Sequence, residues 1–317
     1  MIRAGACLSL TGRFAPFGTQ AANGLRLWAA EADAELVVVD DESKPAVLEA
    51  RMPELAANVD LLFGPYSTIL ARAAAAFAQR RGLLLFNHGG SGGQLNIPGC
   101  VVNILTPADR YASPFVAHLA KSGSGRLFTY CEIGQFGRQV TAGAGRDARA
   151  IGIAIDQLDF DAPPDGEWDL LSAGVYEDDV AAVNRARTLP NPPRLVCSVA
   201  AGVASFADDV DDAEGVFGVG QWAPGAVGAV EAGINEREFL RAWEERFGGV
   251  PDYPGVQAYA AGVIAAAAGP GPHWDTVAAL DLTTVFGRFR VDAAIGEQTG
   301  HTAVLTRWRG GRSLIAR

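Results

Sequence analysis

The stretch DLLFGPYSTILARAAAAFAQRRGLLLFN, residues 60–87, joins an apolar strand-like run to an alanine-rich helical segment and then to a second strand-like run. Such alternation is typical of βαβ units, in which a crossover helix connects two parallel strands. The stretch therefore predicts an α/β fold built on a mostly parallel sheet.

The same rhythm continues on both sides of this stretch and divides the chain into two blocks. The first block runs from the strand IRAGACLSL to the segment CVVNILTP, and the second from the helix SPFVAHLAKS to the strand GVFGVGQW. The chain after Pro224 contains two helices, EREFLRAWEERFG and VQAYAAGVIAAAA, and a predicted strand pair, TTVFGRFRVD and TAVLTRWRGG. Because these segments lack the strands of a third parallel sheet, we expect the helices to dock on the first block. The sequence thus predicts two α/β lobes.

Composition and charge exclude several classes of partner. Of the 317 residues, 49% are hydrophobic, which is enough for two cores. The formal net charge is −10, with 26 Lys and Arg against 36 Asp and Glu, and no basic cluster is present. We therefore expect no binding to nucleic acid or to an anionic membrane surface. The longest apolar stretch, Ala258–Ala268, is well short of the roughly 20 residues that a membrane span needs.

The cysteines and the N-terminus bear on cofactors and compartment. Cys7, Cys131 and Cys197 each lie in an apolar strand-like run, so we predict free thiols. No spacing of Cys or His suggests a metal site, and we predict no cofactor. The chain opens at once with the strand-like run MIRAGACLSL rather than with an export signal. We expect either a cytosolic protein or one whose export signal has been removed.

Residues 86–95, FNHGGSGGQL, place Gly89, Ser91 and Gly93 in the spacing G-x-S-x-G. This is the pattern of a hydrolase nucleophile elbow, but it also suits a loop whose main-chain N–H groups hold an anion. An elbow needs a long helix directly behind the serine, and Pro98 and Gly99 leave no room for one. We therefore predict a binding loop and no catalytic residue, and a serine esterase is the less favoured alternative.

A series of segments occurs in a familiar order over essentially the whole chain: LSLTGRFAPFG, VVVDDES, DLLFGPYST, HGGSGG before a Pro-Gly, ILTPAD, GQFGR, AEGVFGVGQWAP and TTVFGRFRVD. The series resembles that of type I periplasmic binding proteins, in the leucine/isoleucine/valine-binding and amide-binding group that serves ABC importers. The resemblance implies two Rossmann-like lobes, joined by three hinge crossings, that clamp a small ligand. It assigns residues 1–106 and 223–299 to the N-terminal lobe and residues 107–222 and 300–317 to the C-terminal lobe.

The resemblance also implies which residues contact the ligand. The implied contacts are Phe17, Ser67, Thr68, Gly89, Gly90 and Ser91 in the first lobe, and Phe136 and Tyr176 (or its neighbour Val175) in the second. Hydroxyl groups and main-chain N–H groups can neutralise a carboxylate without the desolvation cost of a buried counter-ion. Glycine at positions 89 and 90 would let the ligand touch the main chain.

Each implied contact also has a purely structural interpretation. Phe17 and Phe136 can be apolar residues that anchor their loops. Ser67 and Thr68 can cap the helix that follows them, a role compatible with anion binding because helix N-termini attract anions. We interpret His88 as a residue that positions its loop by hydrogen bonding rather than as a general base.

The sequence departs from the family pattern at the position that binds the ligand's ammonium group. Where amino-acid-binding members of the family place an acidic residue for this group, the alignment reaches Ala201. Glu132, Glu177 and Asp178 lie near predicted strand ends of the second lobe and are the available substitutes. An amino acid and a carboxylate or amide that lacks an ammonium group are therefore both open.

The function that the resemblance implies is that of an ABC importer's solute-binding component. It would close on a small amino acid or a related carboxylate or amide and present it to a permease in the membrane. The protein would lie outside the cytoplasm, as a monomer or weak dimer. A cytosolic amide or amino-acid sensor that regulates a partner protein is the main alternative.

Overall fold

The computed structural model describes residues 2–316, and within them the chain divides into two compact units. Unit 1 comprises the chain up to Pro107 together with Val227–His301. Unit 2 comprises Ala108–Ala226 together with the chain from Thr302 onward. The chain therefore passes three times from one unit to the other.

Unit 1 begins with five strands and the three helices that connect them. The strands are β1 (Arg3–Leu8), β2 (Glu35–Asp40), β3 (Leu61–Phe63), β4 (Leu85–Asn87) and β5 (Val101–Asn103), and the helices are α1 (Ala15–Glu31), α2 (Pro45–Ala56) and α3 (Thr68–Arg81). Neighbouring strands are parallel, in the order β2-β1-β3-β4-β5. The three short strands β3, β4 and β5 are buried along their whole length, as expected for a parallel sheet covered on both faces.

Helix α3 coincides with the alanine-rich helical segment of the sequence, and local caps explain both of its ends. The hydroxyl of Ser67 accepts a hydrogen bond from the N–H of Leu70 at 3.4 Å. At the other end, Gly82 adopts a left-handed conformation with φ of 63°. A hydroxyl at the N-cap and a left-handed glycine at the C-terminus are common helix boundaries, and both can be read from the sequence.

Unit 2 repeats the α/β pattern. Its first strands are β6 (Arg126–Tyr130), β7 (Ala154–Gln157), β8 (Asp169–Ser172), β9 (Val196–Ser198) and β10 (Phe217–Gly220), and its helices are α4 (Ser113–Lys121), α5 (Gln135–Ala150), α6 (Tyr176–Arg187) and the short α7 (Phe206–Asp209). These strands are parallel where they pair, with β6 between β7 and β8. Two apolar clusters form the core, one containing Phe115 and Phe217, and the other containing Trp168 and Phe206.

The chain then returns to unit 1 and adds helices and a small antiparallel sheet. These elements are α8 (Glu236–Phe247), α9 (Tyr253–Ala267), α10 (Trp274–Ala278), β11 (Asp281–Thr284), β12 (Gly287–Asp292) and β13 (Glu297–Gln298). Helix α9 packs closely against α1, because a Cβ on Gly24 would lie 2.0 Å from the carbonyl oxygen of Gly255. The expectation that these helices dock on the first block is confirmed.

The predicted pairing of TTVFGRFRVD with TAVLTRWRGG is wrong. The first segment is itself a hairpin, in which β11 and β12 pair on either side of the buried residues Val285 and Phe286. The second segment forms β14 (Val304–Arg309), which pairs antiparallel with β10 and with β15 (Arg312–Ile315). These pairs complete the unit 2 sheet in the order β15-β14-β10-β9-β8-β6-β7. An apolar two-residue turn carries none of the usual turn signals, so ten β-prone residues resemble one long strand.

The four cysteines, Cys7, Cys100, Cys131 and Cys197, are free, as the sequence predicts. Three of them are buried, and burial raises the pKa of the Cys7 thiol to about 12. Within residues 2–316, no helix combines the length and apolar character that crossing a bilayer requires.

Candidate functional site

The predicted contacts of unit 1 lie on loops that leave the same edge of its sheet. Phe17 follows β1, Ser67 and Thr68 follow β3, and Gly89–Ser91 follow β4. In the order β2-β1-β3-β4-β5, the chain connects β1 to β2 on one side and β3 to β4 and β5 on the other. The connections after β1 and β3 therefore leave in opposite directions. Ligands of open parallel sheets bind at such a point, outside the carboxyl ends of the strands. The fold therefore brings these residues together at a favourable place.

Phe17 lies against an aromatic residue that the sequence analysis missed. Its ring stacks on that of Tyr66, with centroids 4.6 Å apart and planes at 11°. The hydroxyl oxygen of Tyr66 lies 2.6 Å from that of Tyr253, at the start of α9, and burial together with Tyr66 raises the pKa of Tyr253. The two rings thus form an aromatic wall of unit 1. The position of Tyr66 inside the turn GPYS was the only signal in the sequence that could have indicated it. No local pattern indicated that it would contact Phe17 and Tyr253.

The turn after β3 holds Ser67 in an unusual backbone conformation. Its φ of 81° and ψ of 144° belong to a region that residues other than glycine rarely adopt, at a cost on the order of 1–3 kcal/mol. Its N–H donates to the carbonyl oxygen of Gly89 at 3.2 Å, and its hydroxyl caps α3. The hydroxyl of Ser67 is therefore already used, as its structural interpretation predicts.

Thr68, by contrast, has unused donors. It is the first residue of α3, and the N–H groups of Thr68 and Ile69 have no acceptor inside the helix. The hydroxyl of Thr68 makes no hydrogen bond within residues 2–316. A helix N-terminus carries a partial positive charge, so these groups can receive an anion.

The main-chain N–H groups of Gly89 and Gly90 are engaged by a neighbouring side chain. Their N–H groups donate to Oδ1 of Asn87 at 3.3 and 3.0 Å. A Cβ on Gly89 would lie 2.3 Å from the carbonyl oxygen of Pro65, and one on Gly90 would lie 2.6 Å from Cβ of Ala71. Glycine is needed at both positions because the loop packs tightly against the turn after β3 and against α3.

Ser91, the next residue of this loop, has a hydroxyl that remains available. It is half-buried, and its hydroxyl makes no hydrogen bond in the part of the chain that the structure describes. Together with Asn103 and Pro107 it borders a small hollow of unit 1. Only a short 3₁₀ turn, Gly93–Leu95, follows it, so Ser91 lacks the long helix of a nucleophile elbow.

His88 and His301 are both buried in unit 1. His88 is fully buried, and neither ring nitrogen makes a hydrogen bond of good geometry with residues 2–316. Burial lowers the pKa of His88 to about 4, and the nearby carbonyls of His88 itself and Gly64 oppose only part of this effect. The interaction of His88 with the main chain of Gly64 therefore lacks the geometry of the loop-positioning hydrogen bond that the sequence predicts. His301 is bonded to Thr106 at 2.7 Å and stacks on Phe286.

In unit 2, Phe136 and Tyr176 follow the neighbouring strands β6 and β8, where that sheet also reverses its order. Phe136 is half-buried and meets Tyr111 edge-on, with centroids 5.5 Å apart. The hydroxyl of Tyr176 donates to Asp209 at 2.7 Å and accepts from Ser205 at 3.1 Å. The ring of Tyr176 is thus held in place, and its hydroxyl is already engaged within unit 2.

Ala201, which the alignment places at the ammonium-binding position of the family, lies in the interior of unit 2. It is fully buried in a 3₁₀ turn, within the cluster that contains Phe206 and Trp308. Its carbonyl oxygen accepts from Nε1 of Trp308 at 2.9 Å, and Gly218 packs against the same carbonyl. An acidic residue here would be buried in apolar surroundings, so the absence of one says nothing about the ligand.

The acidic residues of unit 2 differ in how much they are engaged. Glu132 accepts a hydrogen bond from the hydroxyl of Tyr130. Asp179, which the sequence analysis missed, is buried and accepts from Ser172 at 2.6 Å and from the N–H of Ala200 at 3.2 Å. Burial raises the pKa of Asp179 to about 6, although these hydrogen bonds lower it. Asp179 therefore serves the interior of unit 2.

Comparisons with known proteins bear on the family and the fold. A family model described as periplasmic binding protein matches residues 1–311. The chain is similar to a solved leucine-binding protein from Thermotoga maritima, with a TM-score of 0.82 and 14% identity over 100% of this chain and 98% of that one. It is also similar to a branched-chain amino acid transporter substrate-binding protein from Streptococcus pneumoniae, solved with isoleucine (TM-score 0.78, 18% identity, coverage 100% and 99%).

A third similar structure is an ABC transporter solute-binding protein from R. palustris in complex with benzoate, with a TM-score of 0.75 and 18% identity over 99% of this chain and 95% of that one. At such identities the likeness establishes the fold, and it confirms the α/β architecture predicted from the sequence. No curated protein sequence matches the chain significantly.

Proposed function

The chain belongs to the periplasmic binding protein family, and from this premise we propose that it is the solute-binding component of an ABC importer. Its solute is a small amino acid or a related carboxylate or amide. The protein would act outside the cytoplasm, and its partner would be the importer's permease in the membrane. The observation that carries the proposal is the pair of unused hydroxyls of Thr68 and Ser91. They lie on loops after neighbouring strands, and the loop after β1 brings the Phe17–Tyr66 wall to the same sheet edge.

The donors suit a carboxylate. Two hydroxyls and the first N–H groups of α3 are neutral, so they bind a negative charge without burying a cation. Hydrogen bonds to a charged group contribute about 1.5 to 3 kcal/mol each. Ser67, Gly89 and Gly90 complete this half of the proposed site by shaping the two loops rather than by donating N–H groups to the solute.

The aromatic residues suit the apolar body of the solute. We propose that Phe17, backed by Tyr66, supplies one apolar surface and that Phe136 and Tyr176 of unit 2 supply others. Contacts to residues of both units would stabilise a closed form, so binding would shift the population from open to closed. Two similar structures hold isoleucine and benzoate, each of which joins a carboxylate to an apolar body.

A role of Ser91 as the nucleophile of a hydrolase is less well supported than a role in solute binding. Ser91 is followed by a short 3₁₀ turn, and the nearest histidine in sequence, His88, is buried and neutral at pH 7. A hydrolase would need a base within hydrogen-bonding reach of the nucleophile. Incubation with p-nitrophenyl acetate tests this alternative, and turnover that is lost in Ser91→Ala would overturn the binding function.

A thermal-shift screen tests the proposal directly. The compounds are leucine, isoleucine, phenylalanine, benzoate, 4-methylpentanoate, 3-phenylpropanoate and the amides of these acids. A compound present at about 100 times its Kd adds roughly 2.7 kcal/mol to the free energy of unfolding, which gives a clear rise in Tm. If no compound raises the Tm at millimolar concentration, the proposed solute class is wrong.

Small-angle X-ray scattering tests closure. With a compound that raises the Tm, we expect a smaller radius of gyration than without it, because contacts from both units favour a more compact form. The control is the Ser91→Ala, Thr68→Val double variant, measured with and without the same compound. Its radius of gyration should not change. An unchanged radius for the wild-type protein with bound solute would mean that closure does not accompany binding.

A further inference from the structure

We infer that Asn87 and Asn103 are positioning residues of the solute site. They hold the loop of residues 89–96 in one conformation and thereby fix the position of the Ser91 hydroxyl that binds the solute. The inference rests on the proposed function and adds two residues to it. Neither asparagine was among the contacts that the sequence indicated.

The two asparagines are polar residues in an interior that should be apolar. They end the neighbouring strands β4 and β5 and are partners in the parallel register. Asn87 is fully buried and Asn103 is 5% exposed. Buried strands of a parallel sheet are normally runs of Val, Ile and Leu, and a buried amide destabilises the fold unless its hydrogen bonds are satisfied. The hydrogen-bond partners of the two asparagine side chains therefore indicate their structural role.

Asn87 uses its whole amide group on the first half of the loop. Its Oδ1 accepts from the N–H groups of Gly89 and Gly90. Its Nδ2 donates to the carbonyl oxygen of Gly90 at 2.6 Å and to Oδ1 of Asn103 at 2.7 Å. All four hydrogen-bonding positions of the side chain are occupied, three of them by main-chain groups of the two residues just before Ser91.

Asn103 holds the second half of the loop in the same way. Its Nδ2 lies within hydrogen-bonding distance of the carbonyl oxygens of Leu95 (3.0 Å) and Gly296 (2.9 Å). Ser91 lies between the two anchored segments, and Gly296 belongs to the turn between β12 and β13. The asparagine pair thus anchors the loop on both sides of Ser91.

The same anchoring reaches the other half of the donor set. Gly89, held by Asn87, accepts the N–H of Ser67, which precedes the unused donors of Thr68. A shift of Gly89 would therefore move both Ser91 and the start of α3. Because hydrogen bonds weaken steeply with poor geometry, such a shift would reduce binding without removing any atom that touches the solute.

The first experiment compares Asn87→Ala with a control that removes buried hydrogen bonds elsewhere in unit 1. The control is Tyr259→Phe, which removes a buried hydroxyl that donates to Glu31 and accepts from Ile234. Glu31 ends α1, about 20 Å along the helix from Phe17. Calorimetry with leucine and benzoate should show at least a tenfold weaker affinity for Asn87→Ala and an affinity within twofold of wild type for Tyr259→Phe. Equal affinities of Asn87→Ala and wild type would overturn the inference.

The conservative variant Asn87→Asp adds a readout that a purely structural role would not move. Its carboxyl group can still accept from Gly89 and Gly90, but it brings a negative charge next to the loop that receives the carboxylate. We expect benzoate to lose at least fivefold more affinity than benzamide in this variant. Equal losses for the two compounds would contradict a role in the anion site.

A measurement on the wild-type protein covers the case in which the variants do not fold. Amide hydrogen exchange, followed by NMR without any solute, should be at least tenfold slower for Gly89 and Gly90 than for Ser91. Similar rates for the three amides would mean that Asn87 does not hold the loop. If the wild-type protein binds neither leucine nor benzoate, the proposed function fails for these solutes, and the exchange rates still decide whether Asn87 anchors the loop.

Discussion

The main-chain N–H of Ser67 donates to the carbonyl oxygen of Gly89 at 3.2 Å, and this bond ties the turn after β3 to the loop after β4. It explains how the protein tolerates the positive φ of Ser67, because the bond and the hydroxyl cap are both made in that conformation. It also keeps the two residues with unused hydroxyls, Thr68 and Ser91, on segments that are fastened to each other. Strain of this kind is often found at binding sites, where the surrounding structure compensates for it.

We predict that Ser91→Ala and Thr68→Val each weaken solute binding by about 1.5 to 3 kcal/mol, because each removes a hydrogen bond to a charged group. The free energy of unfolding should change by about 0.5 kcal/mol or less, since neither hydroxyl is bonded within residues 2–316. Calorimetry with the best compound of the screen measures the first effect, and urea unfolding the second. Ser313→Ala, on the edge strand β15, is the control and should leave binding unchanged.

The backbone of Ser67 gives a prediction about stability. Ser67→Gly should keep or raise the free energy of unfolding, because glycine relieves a strain on the order of 1–3 kcal/mol while loss of the cap costs only a few tenths. Ser67→Ala should lower it by about 1 kcal/mol, because alanine keeps the strain and loses the cap. Urea unfolding of the three proteins at pH 7 measures this order. A glycine variant less stable than the alanine variant would show that the backbone is not strained.

His88 makes the stability of unit 1 depend on pH. Its pKa is about 4 in the folded protein against an ordinary value of about 6.5, so the unfolded chain takes up a proton first as the pH falls. The contribution of His88 to stability is therefore complete above pH 6.5 and is lost as the pH falls towards 4, up to about 3 kcal/mol. Relative to His88→Leu, the wild-type protein should lose stability over this range.

The comparison with His88→Leu is needed because Asp179 acts in the opposite direction. Its raised pKa of about 6 means that its contribution is complete below its ordinary value and is lost as the pH rises through 6. Both proteins carry Asp179, so its effect cancels in the difference. A difference between wild type and variant that does not change between pH 4 and 7 would mean that His88 is accessible to protons in the folded state.

Leucine should bind at least tenfold more tightly than 4-methylpentanoate, which has the same side chain and carboxylate but no ammonium group. Since Ala201 is buried, its lack of charge is no argument against an amino acid, and Glu177 and Asp178 at the start of α6 are acidic. A buried ammonium is strongly disfavoured unless the site supplies a carboxylate. Calorimetry on wild type, Glu177→Gln and Asp178→Asn measures the preference and its source. Tighter binding of 4-methylpentanoate would exclude an ammonium subsite.

Much of the architecture could be predicted from local sequence. The strands and helices follow from the alternation of apolar runs and helical segments, and both ends of α3 follow from Ser67 and Gly82, whose effects act within one turn of chain. The hairpin β11–β12 was missed because its turn is apolar, and only the packing of Val285 and Phe286 in the interior of unit 1 identifies it.

The sequence by itself determined the family, the fold class and the loops that carry the candidate site, because these depend on residue types at fixed spacings along the chain. Only the tertiary structure decided which groups on those loops are already in use. Asn87 occupies the N–H groups of Gly89 and Gly90, Tyr66 is joined to Tyr253 across 187 residues of sequence, and Ala201 is enclosed by Trp308. A hydrogen-bond donor is satisfied by whichever acceptor the fold brings within about 3 Å, and that distance is not encoded by neighbours in sequence.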